Sequence, residues 1–274
     1  MALRRREDAV EALHAAGVEH DLQVTAYPRH AIELARQACL EGCNPIIAAG
    51  GDGSINEVIN GILQAVEKAG SRQTPSIGIL PLGSANDLVD NLGLPHDLHE
   101  ASRIIAAGHT QNMDIGLMRW GETGTTVYFD NNAAVGLEPY ITLVQQRIQR
   151  LHGDLRYLVA TLKGILDNPR WQMRLEWDGG NYEGPITLVT VGNHRRTGGL
   201  FYVAPHANGF DGLLTFVYGS IQGRLQTLHV LPRLMKPDIG NYVEHPAVFE
   251  HHSPWLRIHS KNETPLHADG EIQS

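Results

Sequence analysis

Residues 45–49, Pro-Ile-Ile-Ala-Ala, form a continuous apolar run that stops at Gly50-Gly51 and leads into a helical repeat. A strand apolar at every position has both faces covered, which points to a parallel sheet with helices on either side. The pattern recurs at residues 76–80, again followed by a glycine-bearing polar loop and a helical stretch over 84–92. Upstream, residues 7–16 space Val10, Leu13 and their alanines at helical intervals before Gly17. Residues 22–24 read as a short strand and 31–40 as a second helix; residues 56–69 give a third, with Val58, Ile59, Ile62, Leu63 and Val66 on one face. Strand alternating with helix predicts right-handed crossovers and a three-layer α/β domain with a mostly parallel sheet.

The character changes near Met118. Segments 125–129, 171–177, 186–191, 213–218 and 255–259 are strand-like, rich in Val, Thr and aromatics and separated by Gly, Asn or Pro. Helical stretches at 140–150, 155–166 and 224–235 interrupt them. The expectation is two domains, an α/β nucleotide-binding domain over 1–117 and a β-rich, sandwich-like domain over 118–274. With 42% hydrophobic and 19% charged residues the chain can build ordinary cores and is not disordered. No run approaches the roughly 18 apolar residues of a membrane span, and the basic start lacks an apolar segment behind it, so a cytoplasmic protein is expected. A net charge of −8 leaves no basic footprint for nucleic acid. The 15 His show no metal-ligand spacing, and Cys39 and Cys43 alone make neither a disulfide framework nor a zinc site.

Chemistry concentrates in Gly50-Gly51-Asp52-Gly53-Ser54-Ile55-Asn56-Glu57, between a buried strand and a helix start. The glycines let backbone N–H groups approach an anion, and the helix adds its positive end. Asp52 would repel a phosphate unless a divalent cation lay between them, so the loop suggests Mg²⁺–nucleotide chemistry; the plainer reading makes Asp52 a helix cap. Pro81-Leu82-Gly83-Ser84-Ala85-Asn86-Asp87 repeats the logic, with Ser84 or Asp87 as alternative caps. Two such loops at the ends of neighbouring parallel strands share one crevice. Neither matches GxxxxGK[ST] or GxGxxG, so the nucleotide is held in another way.

These two loops resemble the nucleotide-binding signatures of the bacterial diacylglycerol kinase and YegS-like lipid kinase family, and the likeness runs along nearly the whole chain. Met113-Asp114-Ile115-Gly116 resembles the acidic strand closing the family's first domain, and residues 129–136 its Asn-rich strand. Gly198-Gly199, Ala204-Pro205 and Asp211-Gly212-Leu213-Leu214 resemble a metal-holding stretch, and Asp269-Gly270-Glu271 the family's closing DGE. The resemblance implies ATP as co-substrate, Mg²⁺, and a lipid hydroxyl as acceptor. It implies that Thr25, Gly51, Asp52, Gly53, Ser54, Ile55, Asn56, Glu57 and Ser84 hold ATP, and that Asp52 and Asp114 organise catalytic Mg²⁺. Asn208, Asp211 and Leu213 would hold a structural Mg²⁺, while Asp269 and Glu271 are candidates for the base, Glu271 the favoured one. Taken singly, Asp211-Gly212 and Asp269-Gly270 also read as plain turns. An NAD kinase-like acceptor and a non-catalytic nucleotide- or lipid-binding module are the alternatives.

Residues 140–150 and 155–166 set Arg147, Arg150, Arg156 and Lys163 among apolar residues. Such a pair rests at an anionic membrane surface, as a peripheral protein at the inner membrane would, or else simply covers the β-domain. Asn193-His194-Arg195-Arg196 greets a phosphate or headgroup, or only solvent. Measured against the family pattern, an opening strand with its Asn-Pro-x-x-Gly loop and a closing strand past the DGE are expected to be missing. An exposed terminal strand edge would then favour homodimers.

Overall fold

In the computed structural model, residues 5–71, 73–148, 153–221, 223–235 and 242–273 are described. The chain forms two compact units, Met1–Asn112 with Arg119–Asp130, and Met113–Met118 with Asn131–Ser274.

The first unit runs α1 (Arg6–Ala15), α2 (His30–Leu40), β1 (Ile46–Gly50), α3 (Asp52–Ala69), β2 (Ile77–Pro81), α4 (Asp87–Asn91) and α5 (Leu98–Ala107). Strands β3 (Gly116–Trp120) and β4 (Thr125–Phe129) follow where the chain passes between the units. β1 and β2 are parallel, Gly50 opposite Pro81, so both glycine loops leave the same end of the pair. Ala9, Ala12 and Leu13 of α1 pack with Leu80, Leu82, Leu98 and Ala101, and Ile47 joins them. The pleat therefore turns Ile46 and Ala48 the other way. On that side α2 and α3 lie against β1, crossing closely at Gly61, where a Cβ would strike the Ile32 carbonyl and Ala35.

Three expectations change here. Residues 22–24 are not a strand: Leu22 and Val24 are exposed and the segment takes no ladder partner among the described residues. α3 begins at Asp52, not at 56, so six of the eight residues of the first glycine motif are helix. The helix expected over 84–92 is confined to α4, because Asn86 sits at φ 52 and only Asp87 onward is helical. Among the described residues parallel pairing is confined to β1–β2, and the larger sheets are antiparallel.

The second unit continues with β5 (Asn132–Gly136), α6 (Leu137–Arg147), α7 (Gly153–Asp167), β6 (Trp171–Trp177), β7 (Gly180–Ile186), β8 (Leu188–Gly192), β9 (Leu214–Gly219) and α8 (Arg224–Met235). β10 (Val248–Ser253), β11 (Leu256–Ser260), β12 (Leu266–Ala268) and β13 (Glu271–Gln273) complete it. A six-stranded sheet, in the order β10-β9-β8-β5-β12-β13, faces a three-stranded sheet, β11-β6-β7. β6 alternates buried and exposed residues, as a one-sided strand should. Its Trp177 meets Phe216 of β9 edge-on with ring centres 5.3 Å apart.

The opposite face of the large sheet is covered by helices. Val217 packs with Val230 of α8 and Tyr242, and Leu137, Ile141 and Val144 of α6 pack with Ala160 of α7. The α6–α7 pair thus does the covering, while Leu155, Leu162 and Leu166 of α7 stay exposed at 57%, 37% and 52%. Arg156 donates to the Gln145 carbonyl; Arg150 lies outside the described residues. No helix among the described residues is long and apolar enough to cross a membrane.

Candidate functional site

In the first unit the end of β1 and the end of β2 interlock. Leu82 N–H donates to the Gly50 carbonyl at 2.9 Å. A Cβ on Gly83 would lie 2.5 Å from Gly51 Cα and 2.6 Å from Asn86 Oδ1, and one on Gly51 would lie 3.0 Å from Gly83 Cα. A Cβ on Gly50 would collide with Ser54. Gly51 and Gly83 are glycine because their two backbones touch, and Gly50 because the Ser54 side chain fills the space beside it. Gly53 is different: nothing lies within 4 Å of a Cβ built on it, and it is exposed at the first turn of α3.

The polar members of the motif divide by task. Gly51 is the N-cap of α3, and no side chain caps that helix, so its first N–H groups lack intrahelical acceptors. Asp52 caps a neighbour instead, its Oδ1 accepting Leu88 N–H at 3.2 Å in the first turn of α4. Glu57 does the same for α2, its carboxylate oxygens accepting Arg29 N–H at 3.1 Å and Ala31 N–H at 3.2 Å. Both acids thereby offset the positive end of another helix. Asn56 donates to the Tyr128 carbonyl and to Asp130 Oδ1 at 2.8 Å, and Ile55 is fully buried. Gly53 and Ser54 are left exposed in the first turn of α3, and Ser84 in the loop after β2. Thr25 is exposed in the irregular stretch before α2.

In the second unit Asp114 is tied into the turn that carries the candidate metal ligands. Its N–H donates to the Gly209 carbonyl at 2.8 Å, its Oδ2 accepts Gly212 N–H at 2.7 Å, and its carbonyl accepts from Asn193 Nδ2 at 2.6 Å. Asp211 Oδ1 accepts Leu213 N–H at 3.0 Å, closing the turn with Gly212 at φ 75. Asn208 and Asp211 are exposed. No group of three His, Cys, Asp or Glu that could hold a metal exists among the described residues. The donors offered are an amide oxygen, a carboxylate and a main-chain carbonyl, all hard oxygens of the kind Mg²⁺ takes with waters. His194 is buried beside this turn with Nε2 3.4 Å from Met113 Sδ. Burial pushes its pKa down to about 4, against the opposing pull of Asp114.

Asp269 and Gly270 make the two-residue turn of the β12–β13 hairpin, at φ 44 and 78, the paired positive φ that a tight hairpin turn requires. Asp269 does more than turn the chain. Its Oδ1 accepts both Asn131 N–H at 3.0 Å and Asn132 N–H at 2.8 Å, and its own N–H donates to the Asn132 carbonyl. Glu271, first residue of β13, is exposed, and no side-chain partner meets it among the described residues. The two carboxylates are therefore not equivalent.

Two residues escaped the sequence reading. Glu138, in the first turn of α6, accepts from Asn132 Nδ2 at 2.9 Å and Thr190 Oγ1 at 2.8 Å, and lies 3.3 Å from His267 Nε2. Burial pushes its carboxyl up, but the His267 pairing and the Thr190 and Asn132 hydrogen bonds outweigh this and hold it below its ordinary value. A glutamate at the start of a helix looks like ordinary dipole chemistry in sequence, so nothing marks it as buried.

Comparison with known proteins follows the same division. The family model of the diacylglycerol kinase catalytic domain matches residues 2–118. That of the YegS C-terminal NAD kinase beta sandwich-like domain matches residues 131–274. The chain belongs to the diacylglycerol kinase and YegS-like lipid kinase family. A relative named probable lipid kinase YegS-like, from Chromohalobacter salexigens, is 34% identical over 270 residues, covering 96% of this chain and 81% of its own. A diacylglycerol kinase of Staphylococcus carnosus is 27% identical, covering 98% of this chain and 83% of its own. The crystal structure of a diacylglycerol kinase from Bacillus anthracis superposes with a TM-score of 0.68 at 20% identity, covering 96% of this chain and 81% of the other, and shares the fold.

Proposed function

We propose that this chain is an ATP- and Mg²⁺-dependent kinase that transfers the γ-phosphoryl group to a lipid hydroxyl, that of diacylglycerol or a related lipid. The observation that carries the reading is the separation of duties among its carboxylates. Asp52, Glu57 and Asp269 hold backbone in place, whereas Glu271 is exposed, unpartnered among the described residues and mounted on an anchored hairpin. That is the state a general base needs. The relatives' names and the shared domains point the same way.

In this reading the work divides between residues 1–117 and 118–274. The N–H groups opening α3, with exposed Gly53, Ser54 and Ser84, bind the nucleotide phosphates, joined by Thr25 from the segment before α2. Gly51 starts that helix, Ile55 buries it, and Asp52, Glu57 and Asn56 tie it to α4, α2 and β4, holding the N–H groups in place. Glu271 takes the proton of the lipid hydroxyl as the oxygen bonds to the γ-phosphorus, and the bond to the bridging oxygen breaks to release ADP. Asp269 keeps the hairpin turn in register. Asn208, Asp211 and the Leu213 carbonyl would hold a structural Mg²⁺, and Asp52 and Asp114 would each serve a catalytic one or its waters, as the family resemblance implies. Mg²⁺ in such a site supplies charge neutralisation at the phosphates. Exposed Leu155, Leu162 and Leu166 with Lys163 on α7 give the enzyme an apolar, basic surface for resting on anionic lipid, consistent with a peripheral role in phospholipid synthesis.

The test is phosphate transfer from radiolabelled ATP to a panel of lipid hydroxyls, with NAD included. Mg²⁺-dependent labelling of a lipid is the expected result. Labelling of NAD alone would reassign the acceptor, and ATP binding without transfer to any acceptor would leave a binding module.

A further inference from the structure

The β12–β13 hairpin has two three-residue strands, too short to hold a turn steady unaided. A chain of hydrogen bonds runs into it from the buried side of the second unit. Gly270 N–H donates to His267 Nδ1 at 3.3 Å, and His267 Nε2 faces Glu138 Oε1 at 3.3 Å. His267 is 2% exposed. A backbone N–H can only donate, so Nδ1 carries the lone pair and the ring proton sits on Nε2, directed at the carboxylate. Glu138 is held in turn by Asn132 and Thr190, and Asn132 by Thr197 Oγ1 at 2.9 Å. Asn132 also closes the loop from the other side, since its backbone binds Asp269 in both directions. The turn before Glu271 is therefore gripped at Asp269 through the main chain of β5, and at Gly270 through His267 and Glu138.

We infer that Glu138 and His267 are positioning residues, a buried carboxylate–imidazole pair that fixes the Asp269–Gly270 turn and so the placement of the Glu271 carboxylate during phosphoryl transfer. The catalytic half of this inference rests on the lipid kinase reading; the anchoring half does not. His267 sits in β12 between Ala134 of β5 and Ile272 of β13, so its ring tilt sets the height of the turn directly. Displacing a reacting group by about 1 Å can cost about a hundredfold in rate, which makes one hydrogen bond to Gly270 a reasonable lever.

The experiment compares wild type with His267→Ala and His267→Asn. The Asn amide oxygen can stand near the Nδ1 position and accept Gly270 N–H without reaching Glu138. Two readouts are taken: hydrogen exchange at the Gly270 amide, and kcat and KM for ATP in lipid phosphorylation. His267→Ala should speed Gly270 exchange at least about tenfold and lower kcat by about ten- to a hundredfold, leaving KM for ATP within about twofold. His267→Asn should restore part of both. In a Glu271→Gln background, adding His267→Ala should cost no further kcat. Unchanged Gly270 exchange in the folded Ala variant would overturn the anchoring. Should the Ala variant not fold, Glu138→Gln is read in its place by the same exchange and kcat criteria. An equal kcat loss in the Glu271→Gln background, or a parallel rise in KM, would overturn the positioning role. Failure of wild type to phosphorylate any lipid would instead reject the kinase reading, and the exchange measurement would still decide the anchoring.

Discussion

Gly83→Ala and Gly53→Ala should separate the structural glycines from the ligand-facing one. At Gly83 the new methyl carbon would sit 2.5 Å from Gly51 Cα and 2.6 Å from Asn86 Oδ1. Carbon–carbon contact is comfortable only from about 3.5 Å, so the two loops must part by about 1 Å. Neither can do so freely, because Gly50 and Pro81 are paired across β1–β2 and Leu82 N–H is bound to Gly50. Overpacking of this kind costs about 1–3 kcal/mol. The same parting would stretch the 3.2 Å bond from Leu88 N–H to Asp52 to about 4 Å, outside hydrogen-bond range, forfeiting another 1–2 kcal/mol or so. The total, about 3 kcal/mol, corresponds to a fall in melting temperature of roughly 10 °C for a unit of this size. Thermal scans and hydrogen exchange at the Leu82 amide would both report it. At Gly53 a methyl meets nothing, and alanine in the first turn of α3 should stabilise by about 0.5 kcal/mol. Yet on the proposed reading it would stand where a phosphate approaches the helix N-terminus, so ATP affinity measured by calorimetry should fall about tenfold. A Gly83→Ala protein as stable as wild type, or a Gly53→Ala protein that binds ATP undiminished, would refute this account of the loops.

Glu271→Gln should lower lipid phosphorylation about a thousandfold, to a residual rate that can still be measured, while leaving the melting temperature within a degree or so, whereas Asp269→Asn should lower both, since its Oδ1 anchors two N–H groups. Asp52→Ala should destabilise the first unit by about 1 kcal/mol through the lost cap on α4, read by exchange at the Leu88 amide. The carboxyl of Glu138 lies below its ordinary value of 4.5 in the folded protein. Its contribution to stability is thus full above that pH and lost as pH falls through the lower folded value. Denaturant titrations from pH 6 downward should show the second unit weakening below about pH 4.5, and Glu138→Gln should flatten that slope. Asp211→Asn should raise the Mg²⁺ concentration needed for half-maximal activity and leave the acceptor unchanged, checked by metal titration after chelation.

What could be read from the chain, and what could not, follows from how local each cause is. The apolar runs at 45–49 and 76–80 announce β1 and β2 within a residue, because a short apolar run stopped by a glycine-bearing loop is long enough for a strand but too short for a helix. α8, β4 and β6 coincide with the segments expected at 224–235, 125–129 and 171–177. Residues 22–24 differ because a short apolar–polar–apolar stretch makes a strand only where a partner pairs with it. The start of α3 was placed four residues late because glycine and aspartate read as loop, although Asp is favourable in a first turn and glycine is tolerated there. The short strands β12 and β13 hide inside a polar segment; only the Asp-Gly turn signals them. Around the proposed site the polar residues stand out in the sequence, but their contacts do not. That Asp52 and Glu57 cap helices 36 and 26 residues away, or that Asn60 offers Tyr128 both an acceptor and a donor like a missing strand, depends on contacts no spacing encodes. The buried Glu138–His267 pair joins residues more than a hundred positions apart and has no local signature at all.

The capping role of Asp52 and Glu57 bears on what a motif match can certify. A relative that had lost catalysis would still need those two acids to seat the starts of α4 and α2, so selection for folding alone would preserve them. The glycine-rich signature is thus partly a record of architecture, and its survival in a sequence says little by itself about turnover. Among the described residues the Glu271 side chain caps and holds nothing. On the proposed reading its retention is the sharper mark of a working enzyme, and its replacement in a relative that keeps GGDG intact would point to a fold that has outlived its chemistry.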